Sequence, residues 1–310
     1  MEDDSTDMNP SLFVYIPTYN RPFNLRQQLD ALTAQTGDWP GPVRVLVNDN
    51  ASPGFSDADA VALASEYHIE VRRNPGNIHG NANISLGFVF ARADEYLWIL
   101  SDSDTLRSGA LRAVASEGLV GEPDAITFDL GAQQPSVLVR TWQEGWSVIG
   151  EMGLISNVIY RTAVFAEQSF QAFYYHNSSF PHLAVILGTL KERGSLRIRM
   201  LPSSHVFAPP TAPHGETPNN NSLSLSGMPQ LVWLLPPADR RRFCRGWLHA
   251  QGLGFVRYRT VHPGVHLASR ALLVKHLGLE ARITLPVLAL LERVRPFVPK
   301  AAKLWVRRLG

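Results

Sequence analysis

Cysteine is nearly absent from this sequence: Cys244 is the only one among 310 residues. A single cysteine excludes an internal disulfide framework and a zinc site built from several cysteines, and it favours a reducing compartment. Long apolar runs are absent too, since no stretch reaches the roughly 18 uninterrupted apolar residues of a membrane-spanning helix. With 45% hydrophobic residues, the chain can still bury a sizeable core.

The first ten residues, MEDDSTDMNP, are acidic and polar, unlike the basic and then apolar start of a secretory signal. We therefore expect a flexible N-terminus over residues 1–10 and a cytoplasmic protein. The net charge is only +2, but it is unevenly distributed. Residues 240–310 hold 15 Lys and Arg against two acids, a net +13, whereas residues 1–239 carry a net −11. This split predicts an anionic partner for the C-terminal part, either a membrane surface or a nucleic acid.

Strand and helix patterns alternate over the first hundred residues. The predicted strands are Leu12–Ile16, stopped by Pro17, then Val43–Val47, then the segments IEVRRN and EYLWIL. Such alternation implies parallel strands with right-handed crossovers, and hence an α/β fold with a mostly parallel central sheet flanked by helices. After residue 110 the alternation weakens: further strands are expected in DAITFDLG, SVLVRTW and LRIRMLPS, and a helix from near Pro181.

A polar cluster follows each of the first four strands. The clusters are Pro17–Arg21, Asn48–Asn50, Asn77–Asn81 and Asp102–Asp104. In open parallel sheets, ligands bind beyond the carboxyl ends of the strands. We therefore expect these four clusters to converge on one crevice.

Two carboxylates, Asp102 and Asp104, follow directly on an apolar run. Carboxylates at the end of a buried strand are costly unless something positive meets them. A divalent cation bridging them to a nucleotide diphosphate would be such a partner, because Mg²⁺ and Mn²⁺ prefer hard oxygen ligands. A solvated acidic turn or a helix cap is the structural alternative, and the Asp-x-Asp pattern alone does not exclude it.

Four segments, in this order and spacing, resemble the family 2 glycosyltransferases of the GT-A fold: VYIPTYNRP, VLVNDNAS, NPGNIHGNANISLGF and YLWILSDSD. The likeness is close over residues 11–115 and loose over 150–207. Within this family, the sequence most resembles the bacterial polysaccharide and O-antigen sugar transferases. It implies a Rossmann-like GT-A domain over residues 11–227. It also implies a nucleotide-sugar donor, Mn²⁺ or Mg²⁺, and a glycan or polyprenyl-linked glycan acceptor, with inversion at the sugar.

The resemblance also implies a role for individual residues. Those expected to line the base pocket or reach the nucleotide are Pro17, Thr18, Tyr19, Arg21 and Asp49, the last bonding the base or ribose. Those in the segment that approaches the nucleotide sugar are Asn77, Asn81 and Asn83. Those matching the metal-binding pair are Asp102 and Asp104, with Asp104 the direct ligand. His205 is expected to be a third metal ligand, a phosphate contact or a packed structural histidine.

A general base should deprotonate the acceptor hydroxyl, and the family often places Glu-Asp at the start of a late helix for this purpose. The corresponding segment here, YYHNSSFPHLAVIL, contains no acid. His182 occupies about that position and is the expected base beside the catalytic Asp104, with His176 and Glu151 as competitors. A structural role for His182 is equally open.

Two other functions stay open at this point. The missing acid favours a degenerate GT-A domain that binds glycan or scaffolds an assembly. A nucleotidyltransferase of related fold is the other, although PTYNRPFN lacks the glycine-rich basic loop that this class needs after its first strand.

Residues 228–310 form the predicted basic helical extension. Leucine and valine alternate there with arginine and lysine, and Trp305 adds an amphipathic aromatic. This composition is typical of an interfacial helix on anionic lipid, at the inner face of the cell membrane, and equally of a packed subdomain with a solvated basic face. Prolines at 286, 296 and 299 predict short segments rather than one long helix. No nucleic-acid recognition motif accompanies the charge, so we expect no nucleic-acid partner.

Overall fold

The computed structural model describes residues 9–129, 136–142, 148, 154–178, 180–208, 226–257 and 259–294. These residues form two compact units. The first contains the described residues up to Phe173 and from Val185 to 208, and the second contains 174–184 and those from 226 onward. The domain boundary expected between 227 and 228 stays a prediction, as does the flexible N-terminus, of which residues 1–8 lie outside the described part.

The first unit is built on an eight-stranded sheet. Its strands are β1 (Ser11–Thr18), β2 (Val43–Asp49), β3 (Glu70–Arg73), β4 (Glu95–Ile99), β5 (Ala125–Asp129), β6 (Ser136–Val139), β7 (Val158–Arg161) and β8 (Leu196–Pro202). Their order is β3-β2-β1-β4-β7-β5-β8-β6. Neighbours among β1 to β4 pair in parallel, as do β5 and β8, whereas β7 and β6 are antiparallel to their neighbours. The α/β class with a mostly parallel sheet is confirmed.

Helices follow the strands as the alternation predicts. They are α1 (Pro22–Thr33), α2 (Asp57–Tyr67), α3 (Gly80–Phe90), α4 (Ala110–Ala113), α5 (Thr162–Phe165), α6 (Gln171–Tyr174) and α7 (Pro181–Arg193). Helix α1 starts with proline at its first position and buries Leu25, Leu29 and Leu32, one stripe at helical spacing. Helix α2 begins at a capping box in which Ser56 and Asp59 satisfy each other's backbone N–H groups.

Strand β1 does not stop at Pro17, contrary to the prediction, and β2 likewise runs on past Val47 to Asp49. Pro17 pairs with Asn48 of β2, and its missing N–H is on the side of β4. Pairing with β4 already ends at Tyr15, opposite Ile99, so the proline removes no ladder hydrogen bond. As a result, Thr18 and Asp49 lie side by side as the last residues of two neighbouring strands.

The central strand β1 is buried on both faces, from Leu12 to Ile16. A near-continuous apolar run is expected of a parallel strand covered by helices on both sides. Helix α3 approaches β1 closely at Gly87, where an added Cβ would lie 2.8 Å from the Tyr15 ring and 3.2 Å from Ile99 Cγ1. The Tyr15 hydroxyl in turn donates to the carbonyl of Asn83 at 2.7 Å, so the contact fixes the start of α3 over the sheet.

The second unit is helical. Its main helices are α8 (Pro237–Arg257), α9 (Pro263–Leu277) and α10 (Leu279–Val294), preceded by a 3₁₀ helix at Met228–Leu234. Large buried side chains on α8, including Phe243, Trp247 and Phe255, supply much of its core. No helix in the described residues has both the length and the apolar composition that a membrane crossing needs.

Pro286 does not end a helix, contrary to the prediction; it lies inside α10, while Pro296 and Pro299 lie outside the described residues. Proline removes one backbone N–H, and its exposed position on α10 leaves the unmatched carbonyl within reach of water. The chain instead breaks at Gly278, whose φ of +59° favours glycine. Helices α9 and α10 are therefore separated at Gly278, and α10 runs through Pro286 for 16 residues.

Replacing Gly87 by alanine tests the close approach of α3 and β1. We expect Gly87→Ala to lower the free energy of unfolding by about 1–3 kcal/mol, because the new methyl group must displace a buried ring. Gly246→Ala is the matched control, since a Cβ at that helical position meets nothing within 4 Å. It should leave stability unchanged or raise it by up to about 1 kcal/mol. Urea unfolding measures both, and equal effects would contradict the packing argument.

Candidate functional site

Asp102 meets two partners at the carboxyl end of β1. Its Oδ2 accepts a hydrogen bond from the Thr18 hydroxyl at 2.8 Å, and its Oδ1 accepts one from Arg21 Nη1 at 3.0 Å. Asp102 is only 4% exposed, whereas the Arg21 side chain is 42% exposed. The positive partner of this carboxylate is therefore an arginine at the edge of the crevice. The prediction that the first and fourth polar clusters meet is confirmed.

The environment of Asp102 excludes a solvated acidic turn. Burial raises the pKa of the Asp102 carboxyl, while Arg21 and the Thr18 hydrogen bond act against that rise. The charge of Asp104 also raises this pKa, which shows that the two carboxylates are close enough to repel. A helix cap is excluded as well, since α4 begins only at Ala110.

Serines shape the turn that carries the two aspartates. The backbone N–H of Ser101 donates to Ser156 Oγ at 2.8 Å, and the Ser101 and Ser103 hydroxyls are 2.9 Å apart. The N–H of Asp104 donates to the Ser101 carbonyl at 3.3 Å and closes the turn. Asp104 is half-buried, so it is more accessible than Asp102. Ser101 and Ser103 thus have a structural role in this turn.

Asp49 is the second buried carboxylate of this edge, 1% exposed at the end of β2. Ser52 donates to it twice, from its backbone N–H at 3.0 Å and from its hydroxyl. Arg73 Nε, at the end of β3, lies 3.3 Å from Asp49 Oδ2. The Ser52 hydroxyl also accepts from the Asn20 N–H at 2.7 Å, which ties the loop after β1 to the loop after β2.

Five asparagines, all buried except Asn77, join the ends of β2 and β3 to helix α3. The Oδ1 atom of Asn83 accepts from Asn48 Nδ2 and, at 3.2 Å, from Asn74 Nδ2. Asn74 Nδ2 also donates to Asn50 Oδ1 at 3.1 Å, and Asn50 Nδ2 donates to Asn77 Oδ1 at 3.0 Å. We call these five residues the asparagine network. An amide both donates and accepts, so it forms such a chain without adding charge.

The asparagine network also orders the loop that leads into α3. Asn77 Oδ1 accepts from the N–H of His79, and Asn50 Oδ1 accepts from that of Ile78. His79 has a φ of 70°, a strained value for a residue other than glycine. The helix start that follows presents backbone N–H groups and a partial positive charge, which favour a phosphate.

The remaining predicted residues differ in how accessible they are. Pro17 lies within β1, and Tyr19, just after the strand, is 42% exposed. Asn83 is only 2% exposed and forms part of the asparagine network. Asn81 is half-buried in the first turn of α3. None of the described residues form a group of three or more His, Cys, Asp or Glu suited to hold a metal.

His205 is accordingly not joined with the aspartate pair in a three-residue metal group. Its Nδ1 lies 3.7 Å from Glu117 Oε1, and both side chains are 46% exposed. An exposed contact of this length contributes little to stability.

The base candidates belong to the second unit or lie outside the described residues. His182 is 1% exposed, with its ring 6.0 Å from that of Phe180. His176 is half-buried in the 3₁₀ helix His176–Ser178. Glu151 lies outside the described residues.

Sequence reasoning missed Arg73, Ser52 and Asn74. Arg73 could have been found from strand register, because the last residue of β3 pairs with the last of β2, which is Asp49. Ser52 follows Asp49 by three residues, the spacing of a side chain that bonds back to a turn. Asn74 had no comparable signal, since its partners come from two separate segments, the end of β2 and the start of α3.

Comparison with known proteins finds one matching family and several solved structures of similar fold. The model of Glycosyl transferase family 2 matches residues 13–176, more than half of the chain. S. aureus TarS 1-349 has a TM-score of 0.61 at 14% identity, covering 92% of this chain and 91% of that one. Its complex with UDP-GlcNAc has a TM-score of 0.62 at 13% identity, with the same coverage.

A second similar structure is that of a mannosyltransferase. Mannosyltransferase PcManGT from Pyrobaculum calidifontis, in complex with GDP-Man and Mn²⁺, has a TM-score of 0.51 at 16% identity, covering 96% of this chain and 83% of that one. No curated protein matches by sequence. At these identities the likeness shows a shared GT-A fold.

Removing Arg21 should make stability depend more steeply on pH. Because burial raises the pKa of Asp102, its contribution to stability is full at low pH and is lost as pH rises through the folded-state pKa. Without Arg21 that pKa rises further. We expect Arg21→Gln to be destabilised relative to wild type by about 1 kcal/mol more at about pH 8 than at about pH 5.

Urea unfolding in the presence of a chelator measures the effect. The control is Arg21→Gln combined with Asp102→Asn, which has no titrating carboxyl at this position. It should lose the extra pH dependence. A pH dependence that persists in the double variant would show that another group is responsible.

Proposed function

Because the chain belongs to glycosyl transferase family 2 and is a glycosyltransferase, we propose that it moves a sugar from a nucleotide sugar to a glycan or polyprenyl-linked glycan, with inversion. The proposed setting is the synthesis of a bacterial surface polysaccharide. The observation that carries the proposal is the meeting of Thr18, Arg21 and Asp102 at the carboxyl ends of β1 and β4, with Asp104 in the same turn. This is where an open parallel sheet binds its ligand.

The proposed donor is a nucleoside-diphosphate sugar. The ligands UDP-GlcNAc and GDP-Man, present in the TarS and PcManGT structures, support this class. In this chain, the half-exposed guanidinium of Arg21 and the start of α3 lie at the crevice, where both favour phosphate. Asp49, held by Ser52 and Arg73, is proposed to accept a hydrogen bond from the base or ribose through its remaining lone pairs.

A divalent cation, Mn²⁺ or Mg²⁺, fits one of the two aspartates better than the other. Both oxygens of Asp102 are already bonded, to Thr18 and Arg21, whereas Asp104 is more accessible. Mg²⁺ in nucleotide sites commonly keeps several waters and takes one or two carboxylates plus phosphate oxygens. We therefore propose Asp104 as the direct ligand. When bound, the cation supplies charge stabilisation for the departing diphosphate.

Arg21 and Thr18 prepare the crevice for a charged donor. Arg21 neutralises Asp102, so the diphosphate does not meet two unpaired carboxylates at once. The Thr18 hydroxyl fixes the second oxygen of Asp102, which leaves the arginine in one orientation. These residues bind and orient the leaving group rather than move a proton.

The proton acceptor is proposed to be His182 or His176. Imidazole is a suitable base near neutral pH. The 1% exposure of His182 favours a packed role in the described structure, whereas His176 is more accessible. The same burial is the observation that favours a second function, in which a degenerate domain binds a glycan without transferring sugar.

Asparagine substitutions should separate the two aspartates. We expect Asp104→Asn to lower transfer roughly 100-fold and to raise the Mn²⁺ concentration that half-saturates activity, because it removes the ligating charge. Asp102→Asn should lower transfer with a smaller change in that concentration. Asp94→Asn, at an exposed position, is the control. Release of nucleotide diphosphate from a panel of nucleotide sugars provides the assay; full activity in Asp104→Asn would overturn the proposed role.

Histidine substitutions should identify the base. If His176 or His182 accepts the proton, its glutamine variant should lose about 100-fold or more in kcat and also the acid limb of the pH–rate profile. A variant that only destabilises the fold would lower activity without changing the shape of that profile. Should both variants keep the wild-type profile, neither histidine is the base. Nucleotide-sugar binding without any transfer by the wild type would favour the glycan-binding function.

A further inference from the structure

Helix α10 presents large apolar side chains to solvent. They are Leu279, Ile283, Val287 and Leu290, which are 72%, 57%, 49% and 60% exposed. At about 100° per residue, these four positions fall within an arc of roughly 80°. We call this arc the exposed face of α10. Four aligned aliphatic side chains differ from the scattered single exposures that are normal on a protein surface.

The opposite side of α10 is already packed. Ala281 and Leu285 are buried there. The two acids of the helix are paired with arginines of α8: Glu280 lies 2.8 Å from Arg245, and Glu292 lies 2.7 Å from Arg257. Helix α10 therefore packs through the side that carries Ala281 and Leu285, and its two negative charges are compensated by arginines of α8.

Positive charge borders the exposed face. Arg282 and Arg293 are exposed and form no salt bridge with any described residue. On the helix they fall about 40–60° from Leu279, on one side of the face. The sequence that follows, residues 295–310, adds five further basic residues and no acid.

We propose that the exposed face of α10 binds the surface of an anionic lipid membrane, with Leu279, Ile283, Val287 and Leu290 among the acyl chains and Arg282 and Arg293 at the headgroups. An interfacial helix needs this arrangement of an apolar arc beside cations. A second copy of the chain fits less well, because a two-fold contact through this face would bring the same basic edges together. The proposal goes beyond the transfer reaction and does not depend on it.

Vesicle co-sedimentation without any nucleotide sugar tests the proposal, so its outcome is independent of the transferase assay. The full chain should sediment with vesicles of phosphatidylcholine containing about one third phosphatidylglycerol, and much less with phosphatidylcholine alone. Ile283→Gln with Leu290→Gln should weaken binding about 10-fold or more. Val61→Gln with Val89→Gln, at exposed apolar positions of α2 and α3, is the matched control and should bind as wild type does.

The charge contribution has its own pair of variants. Arg282→Gln with Arg293→Gln should weaken binding to the anionic vesicles more than Arg241→Gln with Arg242→Gln, which removes the same charge from exposed positions of α8. This pair also keeps the test valid if the Ile283 and Leu290 variant fails to fold, as judged by circular dichroism. Equal binding by the face variants and their controls would overturn the proposal. A wild-type dimer that the face variant dissociates, with no change in lipid binding, would overturn it in favour of a second copy.

Discussion

Two buried carboxylates, one at the end of β2 and one just after β4 on the other side of β1, each require a cation, and the rest of the site depends on that requirement. Asp102 takes Arg21 and the Thr18 hydroxyl, while Asp49 takes Arg73 and Ser52. Each acid thus has one guanidinium and one hydroxyl. Since an unpaired charge in such a place costs several kcal/mol, on the order of 3–5 when a buried pair is broken, both arginines are held where a ligand can meet them.

The asparagine network solves a different problem at the same edge. The ends of β2 and β3 and the start of α3 bring buried polar backbone together, and each N–H or C=O left unpaired there is costly. Asn83 accepts from two amides and donates to the Asn48 carbonyl, so it satisfies groups of both kinds. Charged side chains would need further cations there, which the amides avoid.

The sequence pattern predicted the strands, the crevice and the residues that converge on it, because apolar periodicity and chain order determine a parallel sheet. It could not predict that Arg21 is the partner of Asp102, since the two are 81 positions apart and a bound cation satisfied the same electrostatic need. Proline was misread twice. Pro17 remains in β1 because the ladder with β4 has already ended, and Pro286 remains in α10 at an exposed position. Whether each proline is tolerated depends on whether its side of the strand or helix faces a hydrogen-bonding partner or solvent. Hydrophobic periodicity alone does not predict that.

The charges around the crevice explain why a diphosphate would need the proposed cation in order to bind. The pairs of Asp49 with Arg73 and of Asp102 with Arg21 are each neutral, so they offer a bound diphosphate little net attraction. Asp104 adds a negative charge beside them. A diphosphate carrying about two charges would therefore enter a locally negative crevice, and the start of α3 offsets only about half a charge. A divalent cation held by Asp104 would restore the balance and would stabilise charge on the departing diphosphate, which neither arginine pair can do without exposing its own buried carboxylate.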